Sequence, residues 1–211
     1  MKNIFKLMLA LVSLGTLKAN AQTMSETSVK FMKSTANAVV ASYNVPEDIM
    51  KQALEQKLSK ENIGKVKESK GYYTFSGITW NRISADKMDY YFTVDGKKNN
   101  ATITVIASKG YNNFISSGTD LQSIQNIKAF LSDFAQAINA YQLSLDIKAQ
   151  QDAVATAEKN YVKSTSQTED LKKEKEALEK KIAENDSLQA QQRIMLDAAK
   201  QKLSSLQAQS N

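Results

Sequence analysis

From Leu121 to Leu206 the chain contains neither glycine nor proline, and its apolar residues recur at steps of three and four. At 3.6 residues per turn this spacing gathers them on one side of a helix, and no residue within the run obliges the helix to stop. The run therefore forms one very long helix or two helices folded back as a hairpin. Its first part is the most regular, with Ile124, Ile127, Leu131, Phe134, Ile138, Tyr141 and Leu145 in a single stripe. Burying such side chains is worth roughly 1.5–3 kcal/mol each, so this face needs a core to pack on. Thr119 or Asp120 is the expected N-cap, its side-chain oxygen accepting an amide proton of the first turn.

Beyond Leu145 the stripe thins. Leu143, Ile147, Val154, Ala157 and Tyr161 keep a seven-residue rhythm that Gln150 interrupts, and Lys163 to Asp170 (KSTSQTED) carries no large apolar residue. Ser166 with Glu169 fits a capping box, which would open a new helix at Leu171. The stripe resumes in a candidate coiled-coil seam of Leu171, Leu178, Ile182, Leu188, Met195, Leu203 and Leu206, among mixed charges typical of solvated flanks. A turn near 164–170 would pair two nearly equal arms of the same chain. A continuous helix would instead need the stripe of another chain, in a parallel oligomer.

The opposite end reads as an export signal. Lys2 and Lys6 precede an apolar run from Leu7 to Leu17, and small residues stand at Ala19 and Ala21. The run is shorter than the ~20 residues a membrane-spanning helix needs, so residues 1–21 are expected to be a signal peptide, with Gln22 the first mature residue. No other segment is apolar enough to span a bilayer as a helix, so the mature chain is expected to have no transmembrane helix. Removing Lys2, Lys6 and Lys18 lowers the formal charge from +6 to +3. The remaining basic residues are interspersed with acids, without the dense patch that tracks phosphates, which argues against nucleic acid as a partner.

Between these ends the chain predicts a small α+β domain. Residues 22–36 are rich in Ser and Thr and are expected to form a polar leader without regular structure. Val39, Ala41, Tyr43 and Val45 alternate as a half-buried strand, and Pro46 opens an amphipathic helix with Met50, Ala53, Leu54 and Leu58 on its inner face. That helix is expected to end near Asn62-Ile63-Gly64, where Gly64 can take the left-handed conformation of a C-cap. Three strands follow, Tyr72–Ile83 with a bulge or bend at Gly77, Met88–Val94, and Ala101–Ala107, the last two joined by a hairpin over 95–100. The order strand, helix, three strands, helix gives a small antiparallel sheet covered by helices, extended by a long C-terminal helical stalk. The head is read as 37–145 and the stalk as 146–211.

The chain has no Cys and no His, which removes thiol nucleophiles, His-based triads, disulfides and the usual zinc and copper ligands. The carboxylates Asp86, Asp89 and Asp95 show no pairing that spacing would guarantee, and no cofactor motif is present, so no enzymatic activity and no cofactor are expected. Candidate interaction residues are aromatic. Tyr111 and Phe114, in the loop before the long helix, either form a recognition lip or plug the end of the core. Trp80 and Tyr91 either line an open sheet face that binds a ligand or are cross-strand pairs. These features predict a non-catalytic exported interaction or scaffold protein of the bacterial envelope, in the periplasm or outside the cell. Its head would bind a protein partner, and its stalk would set spacing or oligomeric state through self-association. The alternative is a holdase-like periplasmic chaperone with helical arms.

Overall fold

The computed structural model describes residues 21–209; the expected export signal, residues 1–21, lies outside the described residues except for Ala21, which opens the first strand. The elements are β1 (Ala21–Phe31), β2 (Ser34–Tyr43), α1 (Glu47–Glu61), β3 (Lys67–Ser69), β4 (Tyr72–Trp80), β5 (Ser84–Lys97), β6 (Asn100–Ser108) and α2 (Leu121–Gln209). The six strands form one antiparallel sheet in the order β1-β2-β6-β5-β4-β3. The chain is an α+β fold with a long C-terminal helical stalk, and it divides into two compact units, residues 1–149 and 150–211.

In the first unit the period-two pattern of the strands sorts side chains to two faces. One face carries Val39, Ala41 and Tyr43 of β2, Ile103 and Val105 of β6, and Tyr90 and Phe92 of β5, all buried. The inner residues of α1 and the first turns of α2, from Ile124 to Ile138, close over it. Phe130, outside the seven-residue stripe, is also buried, because the helix packs over a sector wide enough to take a neighbouring position. Tyr43 crosses the layers, its hydroxyl donating to the Leu131 carbonyl at 2.5 Å, and burial pushes its pKa up.

The segment 22–36 is not an unstructured leader. It supplies β1, the turn at Met32-Lys33 and the first part of β2, paired in register from Thr23↔Ser42 to Phe31↔Ser34. Its polarity follows from its place: β1 is an edge strand, so its outer groups face water and need no apolar signature, a common condition for edges. The inward positions of β2 here are Ala36 and Ala38, buried but too small to stand out as a pattern.

Local chemistry sets the boundaries. Asp120 is the N-cap of α2, its Oδ1 accepting the Ser123 amide at 3.1 Å. Asn62, not Gly64, is the left-handed C-cap of α1, its amide donating to the Ser59 carbonyl. Asn tolerates this conformation because its short polar side chain offsets the steric cost. Gly77 adopts φ 62° where the β4–β5 register shifts, between Phe75 and Ile78, and its amide donates to Asp89 Oδ1 at 2.7 Å.

The second unit is helix throughout its described residues, to Gln209. The chain does not turn at 164–170: Thr165 and Thr168 donate back to the carbonyls of Tyr161 and Ser164, at 3.0 and 2.9 Å. Ser and Thr lower helix propensity by only tenths of a kcal/mol each, and with their hydroxyls satisfied inside the helix they do not act as caps. No new helix begins at Leu171, and the hairpin is not formed.

Candidate interaction surfaces

Trp80 belongs to the core and not to an open face. It is buried between sheet and helices, edge-on to Tyr90 at 5.3 Å and to Phe130 at 5.0 Å, and its indole N–H donates to Glu61 Oε2 at 3.3 Å. The extra residue of β4 at the first register shift, between Phe75 and Ile78, reverses the alternation, so Ile78 and Trp80 follow Tyr73 and Phe75 onto the core face. Around it Glu61 also accepts from Arg82 at 2.9 Å and Lys57 at 3.0 Å, while Arg82 bonds Asp133 and lies 5.2 Å over the Phe130 ring. This cluster ties the end of α1, the β4–β5 turn and α2 together.

Tyr91 does lie on the second sheet face, half-buried, and that face is partly covered by the chain itself. β2 pairs with β6 only over Val39–Tyr43, so the far end of the β1–β2 hairpin is free to bend across the sheet. Phe31 at its tip is 3% exposed and meets Tyr91 at 4.7 Å, Tyr72 at 5.2 Å and Phe114 at 5.5 Å. Such ring pairs are worth about 0.5–1.5 kcal/mol each beyond their area, so Tyr91 and Phe114 serve chiefly to hold the hairpin down. Burial, followed by the neighbouring Asp89, pushes the Tyr91 pKa up. The sequence does not mark Phe31, because an isolated aromatic in a polar stretch carries no periodic signal.

The loop before α2 separates the two roles proposed for its aromatics. Ile115 is buried and Phe114 half-buried, whereas Tyr111 stands entirely in solvent. Gly110, Tyr111 and Asn112 are all left-handed, with φ 93°, 52° and 60°. The turn is closed by bonds from the Asn113 amide to the Gly110 carbonyl at 2.9 Å and from the Lys109 amide to the Asn113 carbonyl at 3.0 Å. A tyrosine in this region is uncommon and costs on the order of 1–3 kcal/mol. Here it projects an aromatic ring that contributes nothing to the core. Phe114 is thus part of the plug, and Tyr111 is not.

Beneath the loop Lys109 bridges Asp86 at 3.0 Å and Asp120 at 3.2 Å. The two hydrogen bonds raise the Lys109 pKa. For Asp120 burial acts to raise the pKa, but the Ser123 and Lys109 bonds outweigh it and hold the carboxyl below its ordinary value of 3.8. The contribution of Asp120 to stability is therefore fully present above pH 3.8 and lost as pH falls through the lower folded value. Asp120→Ala is expected to cost about 1 kcal/mol at neutral pH, as for other N-caps. Urea titrations of both proteins should show the difference shrinking once pH drops below 3.8; a constant difference would exclude this role.

Among the described residues no group of three Asp, Glu, His or Cys side chains is placed to hold a metal ion, and no helix is long and apolar enough to cross a membrane. In the second unit the candidate seam residues are all exposed within the chain, from 51% at Leu178 to 71% at Met195. No protein-family model matches the sequence, and neither a curated protein nor a solved structure matches it. The class of protein defined by the fold is an α+β domain with a long helical stalk.

Proposed function

We propose that this chain is a non-catalytic interaction or scaffold protein of the bacterial envelope, whose sheet domain binds a protein partner and whose distal helix is one strand of a coiled coil. The observation that carries the reading is the apolar stripe of the second unit, which lies on a continuous helix and is exposed along its whole length within the chain. Unpaired apolar surface of that extent in a soluble chain marks an interaction site. Tyr111 supports the partner-binding half, since an exposed ring on a left-handed backbone contributes nothing to the fold that would offset its cost. Export rests on the charged, apolar and small-residue sequence of positions 1–21.

The mass of the mature protein in solution tests the stalk: a multiple of one chain is expected, and a monomer at all concentrations would refute the coiled coil. Suppression of aggregation of an unfolded client, without self-association, would favour the chaperone reading. Tyr111→Ser is expected to leave the melting temperature within a degree or two while abolishing retention of the partner on immobilised protein. A loss of stability instead would return Tyr111 to a structural role.

A further inference from the structure

The flanking charges of the distal helix choose an orientation that its apolar stripe leaves open. With Ile147 placed at position a of a heptad, Val154, Ile182 and Leu203 fall at a and Leu171, Leu178 and Leu206 at d, while the polar Gln150, Ser164, Thr168, Lys175, Asn185, Gln189 and Gln192 also occupy a or d positions. Leu188 and Met195 fall one position before a and flank the seam. In a parallel pair, g faces e of the next heptad on the partner; this sets Glu174 against Glu179 of a second copy, offsetting the attraction of Lys181 for Asp186, and stacks Lys175 on itself. In an antiparallel pair e faces e and g faces g. If the two-fold axis passes between residues 176 and 177, Glu158 then meets Arg193, Lys172 meets Glu179, and Glu174 meets Lys181. Each pair occurs twice, and no like charges face each other at e or g. Sliding one heptad either way destroys this, opposing Lys172 and Glu174 to themselves or Glu179 and Lys181 to themselves.

From this match we infer that the stalk pairs with a second copy of the same chain in antiparallel orientation, with Val154 of one copy packed in the layer of Ala199 of the other. The inference rests on the coiled-coil reading above and supplies its partner. The same register gives the longest overlap, residues 147–206, or ~90 Å at 1.5 Å per residue. A contact stripe about 10 Å wide along it buries roughly 1,800 Å² in total, compared with about 1,600 Å² for a standard stable interface. Lys172 and Lys175 bond Glu169 and Glu179 within the helix, at 2.8 and 3.4 Å. These are exposed pairs, weak enough to be shared with or exchanged for an interhelical partner. Lys175 is spared self-contact, since its layer is completed by Leu178 of the second copy.

The chain has no cysteine, so disulfide mapping is direct. Val154→Cys and Ala199→Cys full-length proteins are oxidised mildly, each alone and after co-expression. Neither alone should give a covalent dimer, and the co-expressed pair should. Efficient cross-linking of either variant alone would overturn the antiparallel arrangement while leaving the coiled coil standing. A dimer in which no combination cross-links would overturn the register, and a monomer at every concentration would overturn the coiled coil as well. Charge reversal provides an independent readout with opposite signs. Glu174→Lys should weaken dimerisation about tenfold at low ionic strength, with recovery on adding Lys181→Glu; tighter association of the single variant is the parallel result and would refute the inference.

Discussion

Replacing Phe130 with alanine is expected to destabilise the sheet domain by about 3–5 kcal/mol, the range for emptying an aromatic site in a core. Phe130 is fully buried where the layers meet, 5.0 Å from Trp80, 6.2 Å from Phe92 and 6.4 Å from Phe134, with Arg82 over its ring. The loss therefore has three parts: transfer of the ring itself, the cavity that a rigid sheet and helix cannot close, and the partner that orients the Glu61–Arg82–Asp133 cluster. Thermal unfolding should show the domain's transition falling by roughly 15 °C. A shift under a few degrees would mean that α2 does not pack on the sheet as described. Phe134→Ala is expected to behave similarly, because Phe134 is equally buried and meets Tyr43 at 5.7 Å.

Leu178→Lys combined with Ile182→Lys should act only on the second unit, where both side chains are more than half exposed within the chain. In a paired stalk the two substitutions remove apolar burial and place uncompensated charge in the seam, at a cost of several kcal/mol. An isolated helix is then held only by propensity and exposed ion pairs worth about 0.2–0.5 kcal/mol each. The expected result is a fall in mass to that of a single chain, loss of part of the helical signal, and rapid proteolysis within residues 150–209, while the sheet domain keeps its own transition. If mass, helicity and protease sensitivity all stay unchanged, the seam is not packed against anything and the proposed function fails.

Much of the architecture was readable from periodicity. The stripe from Ile124, the amphipathic helix after Pro46, the alternation of β5 and β6 and the irregularity at Gly77 are patterns whose physical cause is one-sided burial, and a periodic cause leaves a periodic trace. Elements whose burial is not periodic left none. β1 is polar because it is an edge, and Phe31 is a lone anchor whose partners Tyr72, Tyr91 and Phe114 are distant in sequence; Trp80 changes face because the irregularity at Gly77 adds a residue to β4, and a glycine marks a bulge or bend without saying by how many residues the register moves. For the loop aromatics the sequence does not say which is covered; packing buries much of Phe114 and leaves Tyr111 in solvent.

The stalk divides in a similar way. Freedom from glycine and proline lets 121–206 continue as one helix, because helix breaking is a local property of the backbone. Whether the helix folds back on itself depends on the competition between continuing a helix already formed and breaking it to bury its own stripe, and residues 164–170 contain nothing that would lower the cost of breaking. The continuous helix keeps its hydrogen bonds through that stretch, with the threonine hydroxyls satisfied within it, and so leaves the distal stripe exposed within the chain.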